Sequence, residues 1–245
     1  MLACQLYNVQ THHSNTPPLH QLFSSHTVGW LAWLSLPFVL EESMKKEIKP
    51  DFMWHLNDAI LAFQITIVTT VNEKGQVNAA PFGLTFPFCS SPEKPQMLLC
   101  SNNLWHTSQN IEATGEFVLN YASYALREKV VQTGLMFSEG VNELEKAGLT
   151  PLPALTVKPP RIEECFQHIE CRLNHIIRPS EHQNNFVGDI LALSANEDLI
   201  MRGQEEMLRS ADPLFLFGMD ITTMAGNYAR VGETTTYAPP EKNVE

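Results

Sequence analysis

Basic residues are scarce. Sixteen Lys and Arg stand against twenty-seven Asp and Glu, a formal charge of -11 at pH 7, and a nucleic-acid partner is excluded because that affinity rests on Lys and Arg neutralising phosphates. Any phosphate bound here must be held by local donors. Apolar runs long enough to cross a bilayer are missing too: the longest candidate, "VGWLAWLSLPFVL" from Val28 to Leu40, falls short of the roughly 20 residues a helical span needs. Cysteine is sparse and unpatterned. Cys4, Cys89, Cys100, Cys165 and Cys171 form no CxxC pair, so a disulfide framework is not expected and a reducing, cytoplasmic setting fits. GxGxxG, P-loop, HExxH and GxSxG signatures are all lacking, which excludes a nucleotide held on a Rossmann turn and the common hydrolase designs.

One stretch invites a metal reading and argues against it. "CFQHIEC" sets His168 between Cys165 and Cys171, but on a strand the two thiols would stand roughly 20 Å apart with His168 on the opposite face. Buried, inert cysteines are the better reading, and no metal is expected.

Residues 1–43 differ from the rest. They contain no Lys or Arg and cluster His12, His13, His20 and His26, so the positive n-region of a signal peptide is missing. They read as an extension upstream of Met44, with a membrane-tethering segment as the other reading. The domain proper is expected over 44–245.

What is present is a chain with 44% hydrophobic content and only 18% charged residues, enough to fold as a globule. "ILAFQITIVTTVNEKGQVNAAPF" reads as a hairpin with Gly75 at the positive-φ position of its turn. A strand follows over Met97 to Cys100. "LWHTSQNIEATGEFVLN" then reads as a helix capped by Thr107 or a neighbour and stopped at Gly115, followed by a strand. A second helix runs from about Ser123 to just before Gly134. Strand patterns resume over Glu164–Ile177, with Ile169, Cys171, Leu173 and Ile177 on one face, and in "FVGDILALSA"; a helix is expected near Met201 to Leu208. Strands dominate and no βαβ alternation exists, so the expected class is mainly β, an antiparallel barrel with peripheral helices. "NAAPFGLTFP" is unusual within it, because Pro81 lacks a ladder donor and Gly83 gives up packing. Together they mark a strand that bends where something approaches its backbone.

Five segments in order, "IVTTVNEKGQVNAAPFG", "CSNNLWHTSQNIEATGEFVLN", "NELEKAGLTPLPALTVKPPRIEE", "HQNNFVGDI" and "GNYARVGE", resemble the flavin reductase-like, FMN-binding split-barrel family from about Ile60 to Glu233. The resemblance implies a six-stranded antiparallel split β-barrel, a homodimer, and FMN near the subunit interface. It places the flavin ring beside Asn78, Ala80, Pro81, Phe82 and Gly83, with Thr70 on the neighbouring strand. It places the phosphate at Ser101, Asn102, His106 and Thr107, where a helix N-terminus also presents unpaired N–H groups. Tyr228 and Arg230 fall in the tail motif that closes the barrel near the flavin. His182 matches a histidine on the nicotinamide side of reductases that use NADH or NADPH. The departures are Gly83 where a serine is common, Trp105 where a serine or lysine is common, and Ser180-Glu181 in place of a Gly-Asp lead-in. The implied activity is hydride transfer from NAD(P)H to flavin and onward to free flavin or a partner oxygenase. No side chain is required as acid or base, so catalytic residues are not expected. An electron-carrying flavoprotein without a nicotinamide site is the alternative.

Overall fold

The structure is a computed structural model that describes residues 45, 47–50, 55, 59–201, 203–220 and 225–234. The extension expected over residues 1–43 lies outside the described residues. The chain divides into two units, Met1–Glu47 and Ile48–Glu245, and the described strands and helices lie in the second.

Its elements, in order, are β1 (Phe63–Gln64), β2 (Thr66–Val71), β3 (Val77–Phe82), β4 (Thr85–Cys89), β5 (Gln96–Asn102), α1 (His106–Thr114) and β6 (Glu116–Tyr121). Then come a 3₁₀ turn (Tyr124–Leu126), α2 (Arg127–Thr133), α3 (Glu143–Ala147), β7 (Pro151–Leu152), β8 (Arg161–Ile162), β9 (Gln167–Ser180) and β10 (Gln183–Ala195). The last described elements are α4 (Glu197–Ile200), α5 (Gln204–Ala211), β11 (Phe215–Asp220) and β12 (Ala225–Ala229). The main sheet is antiparallel with strand order β3-β2-β6-β9-β10-β5-β4, and β1-β11-β12 and β7-β8 form two smaller sheets.

Chain connectivity forces the main sheet to curl. Its two edge strands, β3 and β4, are consecutive and joined only by Gly83 and Leu84. In a flat sheet, six spacings of about 4.8 Å would hold the edges about 29 Å apart, whereas the link from Phe82 to Thr85 reaches at most about 11 Å. The sheet therefore rolls into a split barrel. β3 and β4 are the halves of one strand that pairs with β2 before the corner and with β5 after it. Counted that way the barrel has six staves, and counted by ladders it has seven strands. The corner is tied by Cys100 N–H to Leu84 O at 3.0 Å and by the Thr66 hydroxyl, 3.4 Å from both Phe82 O and Thr85 Oγ1.

Two apolar clusters lie on opposite faces of the β2–β3 pair. Val68, Phe82, Leu99, Ile111, Phe117 and Phe186 fill one; Ile65, Ile67, Ala79, Val130, Leu144 and Leu214 fill the other. All six residues of β2 are consequently buried, which is why "TIVTTV" is β-branched throughout rather than alternating.

Turn chemistry follows the sequence closely. Gly75 (φ 77°) and Gly115 (φ 73°) both take the left-handed conformation expected of them. Gly134 does not: α2 ends there with right-handed φ, and its small size is needed because a Cβ would stand 3.1 Å from Pro81 Cγ. The helix expected near Met201 is two short ones, α4 and α5. Ile177 departs from its expected face and is 40% exposed, while Ile176 packs on the barrel interior. The ladder explains this. Val187 pairs with His175 but Gly188 with Leu173, so Asn174 is an extra residue whose bulge reverses which side chains face inward.

Candidate functional site

The first turn of α1 is the focus of the candidate residues. Its N-cap is Trp105, in extended conformation (φ -78°, ψ 145°) and without a side-chain cap, because an indole offers no acceptor. The expected cap, Thr107, lies one turn position inside and is turned elsewhere. Asn102 builds the approach, accepting Leu104 N–H on Oδ1 at 2.9 Å and Trp105 N–H on its carbonyl at 3.2 Å. Ser108 Oγ lies 2.6 Å from Asn102 O and 2.8 Å from Ser101 Oγ. A helix start left uncapped among the described residues and ringed by small polar groups suits an anion.

A buried polar network connects this turn to the sheet. Thr70 and Asn78 face each other across β2 and β3. Asn78 Nδ2 donates to Thr107 Oγ1 at 3.1 Å and lies 3.4 Å from Thr70 Oγ1, which also accepts from Asn110 Nδ2 at 3.0 Å. The Thr107 hydroxyl, having accepted, still has its own proton to donate. A small polar cleft opens beside the network, walled by Gln76, Asn78, His106, Asn110 and Glu139. Ala80 and Phe82 continue the same face of β3, and the Trp105 ring meets Phe82 edge-on at 5.7 Å between centroids. Trp105 is therefore half packed and 49% exposed.

β3 is an edge strand, and its outward side is almost stripped of donors. Ala79 N–H points outward and donates to Glu143 Oε2 at 2.9 Å. Pro81, two residues on, takes the next outward position and has no N–H, which is where a proline is tolerated in a sheet. At the corner, a Cβ on Gly83 would stand 3.0 Å from Phe63 Cβ and 3.4 Å from Ile65 Cδ1. The close approach that Gly83 signals is thus, in this chain, the approach of β1. Burial pushes the Glu143 carboxyl above its ordinary range, against the Ala79 N–H and nearby His106.

His182 sits at the β9–β10 turn and is held next to the α1 approach: Asn103 N–H donates to His182 O at 3.1 Å, and Asn103 Nδ2 to Glu181 O at 2.7 Å. Its imidazole is exposed, 3.4 Å from Glu181. Asn103 Oδ1 is buried without a partner among the described residues, a polar atom left unsatisfied in the same corner. Tyr228 and Arg230 lie apart from this assembly. Tyr228 pairs with Leu216 and packs on the Ile67 cluster. Arg230 grips Asp212 with two bonds of 3.0 and 2.6 Å and lies over the Tyr124 ring. Within the chain, then, Thr70, Asn78, Ala80, Phe82, Ser101, Asn102, His106 and Thr107 lie on one side of the barrel, with the His182 turn tied alongside. Pro81, Gly83 and Tyr228 belong to the other face.

The His168 imidazole donates from Nε2 to Ile162 O at 2.8 Å and accepts from Ser194 on Nδ1 at 3.2 Å. Burial holds it neutral by pushing its pKa down. Cys165 and Cys171 are fully buried, with thiols pushed well above their usual range.

Three participants are not apparent from the strand and helix patterns: Ser108, Asn110 and Glu143. A signal for the first two exists, since α1 ("HTSQNIEAT") buries Thr107, Ser108 and Asn110 beside a single isoleucine. A helix that short of apolar residues must bury polar ones and bond them.

A sequence profile described as "Flavin reductase like domain" matches residues 59–216. An uncharacterized protein of Aquifex aeolicus is 34% identical over 139 residues, covering 54% of this chain and 69% of that one. The flavoredoxin of Desulfovibrio vulgaris (Miyazaki F) superposes with a TM-score of 0.66 at 22% identity, over 81% of this chain and 99% of its own. Nitrilotriacetate monooxygenase component B from Bacillus cereus gives 0.64 at 21% identity, over 73% and 89%. The two solved structures speak to the fold, and the profile to descent: the chain belongs to the flavin reductase-like family.

Proposed function

We propose that this protein binds FMN and acts as an NAD(P)H-dependent flavin reductase, with free flavin or a partner oxygenase receiving the electrons. The observation that carries the reading is the Asn78–Thr107 hydrogen bond. It joins the uncapped start of α1, suited to a phosphate, to the β3 segment against which a flavin ring would lie. The residues fit the group chemically: the helix dipole and the hydroxyls of Ser101 and Thr107 offset a phosphate charge without a basic patch, while the Ser108 proton is taken by Asn102 O. Bound flavin would supply the redox chemistry, accepting hydride and passing electrons on. The chain's part is to bind and orient, with Asn78 and Thr107 spanning the two ends and His182 offering a donor to a nicotinamide carboxamide.

A homodimer belongs to the same proposal. Phe86, Leu98, Val187 and His175 stand in register across four strands, Val187 itself fully buried, with Phe88 edge-on to His175. Phe86 and Phe88 are 41% and 46% exposed, an apolar face that a second copy would cover. Among the described residues no helix is long and apolar enough to cross a membrane, and the absence of a cysteine pairing pattern favours the cytoplasm.

His182 also motivates the second reading. It is exposed and paired with Glu181 rather than aimed at the α1 turn, which favours an electron carrier with no nicotinamide site of its own. An anaerobic absorbance titration of the FMN-loaded protein separates the two. Bleaching of the visible flavin band by NADH or NADPH is expected. A band bleached by dithionite alone would establish the carrier, and a protein that takes up no FMN would refute both.

A further inference from the structure

We propose that Glu143 is a positioning residue for the flavin site, the one hydrogen-bonding point of a strap that fixes the outer edge of β3. The inference rests on the proposed flavin reading and concerns how the chain prepares that site.

An edge strand is aligned by a ladder on one side only. β3 has β2 on its inner side, while α2 and α3 pack against it and residues 134–142 link those two helices. Gly140 abuts Gln76, the residue before β3, where a Cβ would stand 2.9 Å from Nε2, and Gly134 lies by the Pro81 ring, where a Cβ would stand 3.1 Å from Cγ. Between them Glu143 accepts the Ala79 N–H at 2.9 Å. The other contacts are packing; among the described residues only the carboxylate sets a donor–acceptor distance on this edge.

Its setting shows commitment to that bond. Glu143 is 5% exposed and Ala79 fully buried, beside apolar Leu144 and Val130 of the same cluster. An acidic side chain there is costly unless its bonds are made. Its own helix is oriented independently, by Asn142 Oδ1 accepting Leu144 N–H at 3.1 Å. The carboxyl, which also meets its own backbone N–H, reaches out from that helix to β3. Ala79 lies between Asn78, which binds Thr107, and Ala80, which faces the flavin side, so a shift at Ala79 moves both.

The test measures binding of FMN and riboflavin to the full chain by flavin fluorescence, at a temperature where circular dichroism shows each variant folded. Glu143→Ala should weaken riboflavin about tenfold, the loss of one hydrogen bond to a charged acceptor, and FMN at least as much, since Asn78 carries the shift of β3 to Thr107 at the phosphate end. The Ala79 amide should lose its protection against hydrogen exchange. Glu143→Gln keeps an acceptor oxygen and should bind within about threefold of wild type. Wild-type affinity in Glu143→Ala would overturn the role of Glu143 while leaving the flavin reading intact. Failure of the wild-type chain to bind either flavin would remove that reading and this proposal together. Should Glu143→Ala not fold, Glu143→Gln decides alone, and a tenfold loss there refutes positioning by the acceptor.

Discussion

Gly188 offers a direct test of how tightly the barrel is packed. A methyl group at this position would lie 2.6 Å from Phe117 Cζ, 2.9 Å from Phe117 Cε1 and 3.0 Å from Cys171 Cβ. Carbon atoms are comfortable at about 3.5–4.0 Å, so the ring must retreat by about 1 Å. It has nowhere to go: Phe117, Cys171 and their neighbours Leu99 and Phe186 are all completely buried. Overpacking of this kind costs about 1–3 kcal/mol, and in a chain of this size each kcal/mol lowers the melting temperature by about 2–4 °C. Gly188→Ala should therefore melt about 3–10 °C below wild type, followed by circular dichroism. Phe117→Leu removes the ring edge that the new methyl strikes, so the double variant should be at least about 1 kcal/mol more stable than the two single effects predict. Wild-type melting in Gly188→Ala, or strict additivity in the double variant, would show that the interior is looser than these distances require.

The remaining predictions probe the barrel base and the two ends of the site. Glu170 is buried and accepts Leu155 N–H, Thr156 N–H and the Thr156 hydroxyl at 2.7–3.0 Å, with Arg161 at 3.7 Å; burial alone would raise its pKa, but these donors and the cation hold it below the ordinary range. A depressed carboxylate stabilises above its unfolded pKa, so Glu170→Gln should cost about 3 kcal/mol at neutral pH, and the gap to wild type should shrink in denaturant titrations below about pH 4. A gap independent of pH would refute the charged assignment. Thr107→Val should weaken FMN about tenfold and riboflavin clearly less, since both lose the Asn78 partner but only FMN carries the phosphate; equal effects on both would remove the phosphate from α1. His182→Ala should raise KM for NADH or NADPH severalfold with FMN affinity and melting temperature unchanged, the side chain being 73% exposed. An unaltered KM would favour the electron carrier.

Much of this architecture is legible along the chain because it is set by local chemistry. Gly75 and Gly115 mark positive φ, the β-branched run of β2 marks a strand buried on both sides, and α1 is bounded by Gly115 as its pattern requires. What escapes is non-local. The Asn174 bulge, which turns Ile177 outward and Ile176 inward, depends on pairing with β10 and leaves no trace in the alternation of β9 itself. Thr107 looks like a helix cap by position, yet Asn78, twenty-nine residues earlier, claims its hydroxyl. Arg230 reads as a charge available to a cofactor until Asp212 is seen to hold it.

Pro81 and Gly83 show where the limit falls. Each announces a broken ladder, because one lacks a donor and the other lacks a side chain, and that much requires no knowledge of the fold. The reason for the break is a property of the closed barrel. Pro81 occupies an outward position on an edge whose neighbouring N–H is already taken by Glu143, so a donor there would have had no strand to meet. Gly83 stands at the corner where a strand leaves β2 for β5, and β1 crosses so closely that a Cβ would be 3.0 Å from Phe63 Cβ. A serine at position 83, common in the resembling family, would press on Phe63, which would have to give by a few tenths of an ångström. Any flavin held against this strand must rely on the network of Asn78 and Thr107 for what a serine at the corner would otherwise supply.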